Sequence, residues 1–362
     1  MEQVQERMEN IAQTRVRRRF ANVGMDAPVP RALYQAALER EKRLGDDVWS
    51  PPEPTPISWA ESAQIKAGQA PLGPLETIHE RIRLPALPTV LLSLQELMEH
   101  PEAGSGDFAR IISLDPRLSA SVISLVNSPF YGLPVKVESL SKAIAILGVQ
   151  RLSTLAMGVR LMSMFEDGAP KGISVRMFWV HSAATALMSH RLAVRLGKGN
   201  VESYFLAGQL HDLGRLPLFA ARPKLAQAVL SLHRHWKAPL EAAERQLFDL
   251  DHAMLGGLFM KRWGLPEPWV RAALHHHHPG KCLGHEVSEV VCAANNIVTA
   301  LGLGCNRYYD VSLGREFWAK LGVTGGDIRG LTLGFDDEVS TVLEAMFGSR
   351  PGMPPEQRAP SQ

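Results

Sequence analysis

The residues of this chain that could do chemistry are histidines, one aspartate and one asparagine spread over separate segments of its second half. Imidazole nitrogens and carboxylate or amide oxygens are the side-chain groups that bind divalent metals. The candidate ligands are His181, His211, Asp212, His252, His277 and Asn295. A single histidine of this kind is more typical of a hydrogen-bonded core residue, because one carbonyl or carboxylate satisfies a buried imidazole. Several on separate segments favour a shared metal site.

The adjacent His211 and Asp212 lie in the segment "AGQLHDLGRL". Neighbouring residues on a helix diverge by about 100°, so these two side chains can reach one ion only from different sides. Gly208 and Gly214 stand one turn before and after the pair, and they would let a partner helix or a ligand come close. In the alternative interpretation, Asp212 caps a helix or forms a salt bridge with Arg215 while His211 packs in the core. Spacing alone leaves both interpretations open.

A run of four histidines occupies residues 275–278 in "AALHHHHPG". At most one or two of the four can face inward from a single helix end. His277 is the candidate ligand, and those of the four that do not face inward are expected to be exposed to solvent. His181 and His252 are spaced helically from apolar neighbours, which predicts that both point inward.

The elements that must position these residues are predicted to be helices, and the fold class is all-α. From Leu75 onward, apolar residues recur at helical spacing between short breaks of Gly, Pro, Asn or Asp. Strands are expected at most in short pieces near residues 135–137, and Ser141 could cap the helix after it. The predicted helices cover residues 89–99, 106–113, 116–127, 141–147, 149–165, 175–196, 201–221, 224–235, 239–263, 267–276, 285–301 and 337–347.

The chain is predicted to consist of an N-terminal arm, a large helical domain and a tail. Residues 1–75 form the arm, which is poorly structured or helical and contains the proline-rich linker "WSPPEPTPISW". A Gly-rich and charged break at "EDGAPKGIS" divides the domain, residues 76–348, into halves at 76–168 and 169–348. Residues 349–362 are predicted to be a disordered tail.

Composition excludes several classes of protein. At 45% hydrophobic and 21% charged residues, the 362-residue chain is typical of a soluble globular protein. A net charge of +2 gives no general attraction to nucleic acid or anionic membranes. Three cysteines without a secretory signal predict a cytoplasmic location with free thiols. No apolar run approaches the ~18 residues that a membrane-spanning helix needs.

The order of the motifs resembles the HD superfamily of metal-dependent phosphohydrolases, and more closely the HDOD domains of bacterial signalling proteins. Segments similar to the first half of HDOD domains are "LPALPTVLLSLQELM", "IISLDPRLSASVISLVNSPFYG" and "SLSKAIAILGVQRLSTLAMG". Those similar to the second half are "FWVHSAATA", "FLAGQLHDLGRLPL", "DHAMLGGLFMKRWGLPEPW" and "AANNIVTALGLG". The resemblance covers about residues 76–302, with helices to about 348 completing the domain. It implies a bundle of helices in two halves.

The resemblance has mixed implications for the site. HD hydrolases hold a divalent metal through a helix histidine, the HD pair and a later aspartate, and His181, His211 and Asp212 match the first three. His252 and His277 match additional ligands of the two-metal cyclic-dinucleotide phosphodiesterases called HD-GYP. Asn295 stands at the position of the later aspartate, and its amide contributes no charge. No GYP-type signature follows the histidine run.

HDOD domains are generally regarded as non-catalytic regulators. We therefore expect a cytoplasmic bacterial signal-transduction regulator that binds a protein partner or ligand, with a residual site for iron, manganese or zinc. The alternative is a metal-dependent phosphohydrolase acting on a nucleotide or cyclic dinucleotide, with Arg215 and either Lys261 or Arg262 neutralising phosphate. A third and least favoured interpretation is nucleic-acid binding through the arginines at residues 15–19, which are more typical of a solvated face. Sequence alone predicts no oligomeric state.

Overall fold

The computed structural model describes residues 2–21, 23, 25–44, 54–70, 72–73, 78, 82, 86–129, 131–165, 174–304 and 313–347. Every regular element within these ranges is a helix, which confirms the all-α prediction. The predicted break between the halves lies almost entirely outside the described residues, as do the predicted tail and Cys305.

The helices of the arm and of the first half alternate with short turns. They are α1 (Glu2–Arg19), α2 (Pro28–Leu44), α3 (Trp59–Ala67), α4 (Thr89–Glu99), α5 (Ser105–Ser113), α6 (Pro116–Val126), α7 (Leu140–Leu147) and α8 (Val149–Ser163). Asp115 caps α6 by accepting hydrogen bonds from the backbone N–H groups of Arg117 and Leu118. The cap of α7 is Ser139, which accepts from the N–H of Lys142. The prediction that Ser141 caps this helix is wrong, because the helix begins one residue earlier, at Leu140.

The second half is also helical throughout its described residues. Its helices are α9 (Val175–Arg195), α10 (Val201–Leu210), α11 (Arg215–Ala221), α12 (Pro223–Trp236), α13 (Leu240–Phe248), α14 (His252–Arg262), α15 (Glu267–His275), α16 (Pro279–Cys282), α17 (Glu286–Leu301), α18 (Arg315–Leu321), α19 (Gly325–Thr332) and α20 (Phe335–Phe347). Four short helices, α3, α16, α18 and α19, were not predicted. A capping box of Ser58 and Glu61 marks the start of α3 in the sequence.

Two predicted helices are each broken in the structure. Residues 201–221 divide after α10, where Gly214 lies so close to α14 that an added Cβ would stand 2.1 Å from the carbonyl oxygen of His252. Residues 239–263 divide where Asp249 takes a positive φ of 67° and Asp251 caps α14. Both breaks result from local caps and packing that apolar periodicity does not report. They place the HD pair and His252 at helix ends.

The N-terminal arm packs on the main body. Val16 and Phe20 of α1 and Leu33 of α2 belong to the same apolar core as the helices of both halves. Helix α2 contacts α17 and α19. Arg40 pairs with Asp336 at 2.7 Å and donates to the carbonyl of Leu301 at 3.1 Å. The described part of the arm is therefore helical and anchored, whereas the domain boundary at residue 75 stays a prediction.

The helices that carry the candidate ligands pack against one another in the second half. Helix α9 runs along α10 and α17, and α15 contacts α10, α14 and α17. Gly208 permits the close approach of α9 and α10, since a Cβ there would lie 2.5 Å from the Ser189 hydroxyl and 2.8 Å from the Thr185 carbonyl oxygen. None of the helices in the described ranges is both long and apolar enough to cross a membrane.

Candidate metal centre

The structure brings the six predicted site residues together from five places in the chain. His181 lies in α9, His211 and Asp212 in the turn after α10, His252 at the start of α14, His277 after α15, and Asn295 in α17. Asp212 and five histidines form two adjacent groups of potential metal ligands that share Asp212, and the Asn295 side chain lies beside His181.

The first ligand group is His181, His211 and Asp212, all of them buried. The Nε2 atoms of His181 and His211 lie 3.7 and 3.6 Å from the Asp212 carboxylate. The other ring nitrogens are held by carbonyls: His181 Nδ1 is 3.0 Å from the Leu303 oxygen, and His211 Nδ1 is 2.7 Å from that of Gly208. A hydrogen bond from Nδ1–H to a carbonyl leaves the lone pair of Nε2 directed at the centre.

The second ligand group is Asp212, His252, His276 and His277. Asp212 Oδ1 lies 3.0 Å from His252 Nε2 and 3.4 Å from His276 Nε2. His252 Nε2 is in turn 3.3 Å from His276 Nε2 and 3.0 Å from His277 Nε2. Sequence reasoning missed His276, because a run of four histidines does not show which residues face inward at a helix end.

Glu244 is a second residue that sequence reasoning missed. It lies in α13, is fully buried, and accepts hydrogen bonds from both Nδ1 (2.5 Å) and the backbone N–H (2.9 Å) of His252. Metal-binding histidines usually donate their second ring N–H to such a carboxylate, which fixes the ring. Glu244 stands eight residues before His252 on a separate helix, so helical spacing gave no signal that they meet.

The unpartnered atoms of the cluster fit a cation. In the described structure, His181 Nε2, His211 Nε2 and Asn295 Oδ1 are buried without a hydrogen-bond partner. Both Asp212 oxygens also lack an aligned hydrogen bond, although they lie at ion-pair distance from Arg215 and His252. Buried polar atoms without partners are rare and costly, and a bound ion is one explanation for them. A donor set dominated by imidazole suits zinc or iron better than manganese, which favours oxygen ligands.

The charges in the cluster balance, because the cations His252 and Arg215 face the carboxylates of Glu244 and Asp212. Burial lowers the pKa of His252, but Glu244 and Asp212 outweigh it and raise that pKa to about 10. Burial raises the pKa of Asp212, but Arg215, His211 and His252 hold it well below its usual value. Desolvation lowers the pKa values of His181, His211 and His277, which stay neutral and available as ligands. The sequence left open whether Asp212 pairs with Arg215 or binds a metal. The structure shows the pair with Arg215, while the same carboxylate also faces the histidines, and metal binding stays a prediction.

The other cations considered from the sequence lie outside this cluster. Arg19 pairs with Glu41 at 2.6 Å and donates to the Ala300 carbonyl, so the arginines at residues 15–19 do not all face solvent. Lys261 and Arg262 are exposed near the end of α14, nine or ten residues beyond His252. At 1.5 Å per residue they are roughly 14 Å from it along the helix axis.

In the described residues, the adjacent His211 and Asp212 lie against histidines from neighbouring helices of an all-helical fold. This arrangement is typical of HD-type helical domains. A family model for the HDOD domain matches residues 84–279, which is more than half of the chain. The chain therefore belongs to the HDOD family.

One relative and three crystal structures illustrate the match. An uncharacterised protein of Treponema pallidum (strain Nichols) is 26% identical over 199 residues, which are 54% of this chain but only 38% of the relative. An HDOD domain protein of unknown function from Geobacter sulfurreducens is similar with a TM-score of 0.65 and 23% identity, over 75% of this chain and 99% of that one.

The other two structures carry provisional functional names. A Shewanella amazonensis SB2B protein provisionally named a phosphohydrolase has a TM-score of 0.58 and 23% identity, over 74% of this chain and 96% of its own. A Marinobacter aquaeolei VT8 protein provisionally named a signal transduction protein has a TM-score of 0.61 and 20% identity, over 90% of this chain and 67% of its own. At these identities the three structures show a shared fold.

Proposed function

We propose that this protein is a bacterial signal-transduction regulator that acts by binding through its HDOD domain, and that its His/Asp cluster holds one divalent transition-metal ion in a structural role. The observation that carries the proposal is the pairing of Asp212 with Arg215. Asp212 is the one carboxylate in either ligand group, and Arg215 Nη2 lies 2.8 Å from it.

The charge of the cluster favours one ion over two. Beyond Asp212, the described groups offer imidazoles, which bring no negative charge, and Asn295 supplies an uncharged amide where the resemblance implies an aspartate. A second divalent ion would add two positive charges to a buried region in which Glu244 is already paired with His252 and the Glu241 carboxylate lies 3.9 Å from His277 Nδ1. Such charges are strongly unfavourable in a medium of low dielectric.

Burial of the cluster also favours binding over hydrolysis. His211, Asp212 and His252 are fully buried, and His181 and His276 are nearly so. Metal-assisted hydrolysis requires the substrate to reach a metal-bound water. His277, whose side chain is 16% exposed, is the most exposed of these ligands, and a small ion could enter beside it more readily than a bulky phosphate ester.

The first half supports a role in partner binding. Five large apolar side chains on it are exposed, namely Leu92, Met98, Leu114, Val135 and Ile146. Leu92 and Met98 lie in α4, Ile146 lies in α7, and the other two lie between helices, whereas the candidate ligands all lie in the second half. Val194, Trp236, Met254 and Leu333 of the second half are exposed as well, so the first half is favoured because a partner could bind there without reaching the ligands. The provisional name of the Marinobacter structure agrees with a signalling role.

Elemental analysis of protein purified without an affinity tag tests the proposal. We expect close to one equivalent of zinc or iron, which should be lost in Asp212→Ala and His252→Ala while circular dichroism still shows folded helices. Each sample is also assayed on a panel of nucleotides and cyclic dinucleotides with added metal. Rapid metal-dependent turnover of any panel member would contradict the proposal.

A second candidate function is metal-dependent phosphohydrolysis, which the shared position of Asp212 favours. One carboxylate between two groups of imidazoles is an arrangement that could hold two neighbouring ions. The provisional name of the Shewanella protein agrees with this alternative. Asn295→Asp would then raise both metal affinity and the rate of hydrolysis, and no effect on either would count strongly against it.

A further inference from the structure

We infer that the positive charge of the Arg215 guanidinium takes the place of a metal ion in the first ligand group. A metal ion then binds only in the second group. This inference rests on the proposed metal centre and specifies its occupancy. Arg215 would then determine both the number of metal ions that the protein binds and the group in which they bind.

Arg215 is held in the centre by its position in the chain. It is the first residue of α11, directly after the turn that contains His211 and Asp212, and its side chain is 3% exposed. Gly214 fixes this turn against α14, where an added Cβ would lie 2.1 Å from the His252 carbonyl oxygen and 2.4 Å from the Gly256 nitrogen. The packed turn and the burial of the side chain thus place the guanidinium beside Asp212.

Asp212 is the counter-charge of this guanidinium. Nη2 of Arg215 lies 2.8 Å from Asp212 Oδ2, and within the described ranges the nitrogens Nε, Nη1 and Nη2 make no aligned hydrogen bond. A buried cation with so little hydrogen bonding depends on its ion pair. A metal ion that took the same oxygen would leave Arg215 buried without a counter-charge.

The two oxygens of Asp212 face different sides of the cluster. Oδ2 faces Arg215 at 2.8 Å and lies 3.7 Å from His181 Nε2. Oδ1 faces His252 Nε2 at 3.0 Å and His276 Nε2 at 3.4 Å, and it lies 3.6 Å from His211 Nε2. An ion in the first group would sit between His181 and the oxygen that Arg215 already holds. Two cations at such short range repel each other strongly in a buried site.

The second group keeps a complete set of ligands without disturbing Arg215. Asp212 Oδ1 and the imidazoles of His252, His276 and His277 supply four donor atoms within 4.8 Å of one another. Four ligands of this kind match the tetrahedral coordination of structural zinc. Glu244 orients His252 from outside, and the partial exposure of His277 gives an ion access.

The inference is tested by titrating metal-free, tag-free protein with Zn²⁺ in a calorimeter and counting bound zinc after dialysis. The wild type should bind one equivalent. Arg215→Met should bind two, with the second at least about tenfold tighter than any second ion in the wild type. Arg262→Met removes an exposed positive charge elsewhere in the chain and is the matched control, which should still bind one equivalent.

Two histidine variants locate the ions. His277→Ala should abolish the single wild-type site, and His181→Ala should leave it intact. In the Arg215→Met protein, His181→Ala should remove only the second equivalent. Loss of the wild-type ion in His181→Ala, with retention in His277→Ala, would overturn the inference.

The remaining outcomes separate this inference from the proposed centre. One equivalent at equal affinity in wild type and Arg215→Met overturns the inference alone, whereas no zinc in either protein overturns both. Where Arg215→Met does not fold without metal, Arg215→Gln provides a neutral hydrogen-bonding substitute. Folding of either variant on addition of two equivalents of Zn²⁺ supports the inference, and failure of both to fold with zinc refutes it.

Discussion

Glu244 and His252 form a fully buried pair in which one carboxylate oxygen lies 2.5 Å from the imidazole Nδ1 and 2.9 Å from the backbone nitrogen of the same residue. Two contacts to one residue fix both the ring and the first turn of α14. The ring is thereby turned so that Nε2 faces Asp212 at 3.0 Å. Glu244 thus positions a candidate ligand without touching the centre itself.

Replacement of Glu244 should weaken metal binding more than it alters the fold. In Glu244→Gln the amide still fits the space, but the negative charge that supports His252 is lost. We expect zinc affinity to fall by about 10–100-fold, the range typical when the outer partner of a metal-binding histidine is removed. Calorimetric titration with Zn²⁺ measures the change.

The matched control for this substitution is Glu241→Gln on the same helix. The Glu241 carboxylate is partly exposed and stands 3.9 Å from His277 Nδ1, beyond hydrogen-bond distance. Its zinc affinity should stay within about twofold of the wild type, as expected for a weak, solvent-screened contact. Equal losses in both variants would show that general charge near the centre, and not the Glu244–His252 pair, controls binding.

Gly214→Ala should destabilise the protein by about 3 kcal/mol, at the upper end of the range for overpacked sites. The reason is steric, since the new Cβ would meet backbone atoms of His252 and Gly256 that cannot rotate away. Urea unfolding checks the loss. Gly199→Ala, where a Cβ would meet no atom within 4 Å, is the control and should change stability by less than about 0.5 kcal/mol. Similar curves for the two variants would disprove the close contact.

Much of the fold could be predicted from the sequence because helical periodicity and capping residues act locally. Helix α4 begins and ends where its apolar spacing predicted, and α6 begins at residue 116 as predicted. Convergence of His181, the HD pair and His252 also follows from motif order. These features depend on short-range spacing or on resemblance to a family.

The features that were missed depend on contacts between distant segments. Gly214 breaks a predicted helix because α14 lies against it, and Glu244 meets His252 because the chain reverses at Asp249. His276 was missed for a similar reason. Its side chain points inward because α15 ends at His275, and the residue type does not show where the helix ends. Packing between helices decides such positions, and one sequence does not report it.

Arg40 should contribute more to stability than Arg43, although both pair with the same carboxylate. Arg40 is 9% exposed and also donates to the Leu301 carbonyl at the end of α17, whereas Arg43 is 50% exposed and reaches Asp336 from the surface. Arg40→Met should lower the free energy of unfolding by about 2–3 kcal/mol, because the buried Asp336 carboxylate and the Leu301 carbonyl both lose this partner. Arg43→Met should lower it by less than about 1 kcal/mol.

Urea denaturation of the two arginine variants, each compared with wild type, measures this difference. The comparison is well matched because each substitution removes one positive charge from α2 and one partner from Asp336. A larger loss in Arg43→Met would contradict the structural account, in which Arg40 anchors the arm to the end of α17.

His233 should make the protein less stable as the pH falls below about 6.5. Burial lowers the pKa of this residue to about 4, against the opposing effect of the Ala238 carbonyl, which accepts a hydrogen bond from Nδ1 at 2.8 Å. The unfolded chain, with an ordinary histidine pKa near 6.5, binds the proton between pH 6.5 and pH 4 while the folded protein does not. Protonation therefore favours unfolding in this window, and stability rises with pH across it.

His233→Asn isolates this contribution, because an asparagine amide can still donate to Ala238 but does not titrate. Between pH 7 and pH 5 the wild type should lose about 2 kcal/mol more than the variant, from a slope of up to about 1.4 kcal/mol per pH unit for one proton. Urea unfolding at several pH values in the presence of a chelator measures both proteins without bound metal. The histidines of the centre are common to the two proteins, so their titration cancels in the difference. Parallel stability profiles over this range would show that His233 takes up its proton equally in the folded and unfolded states.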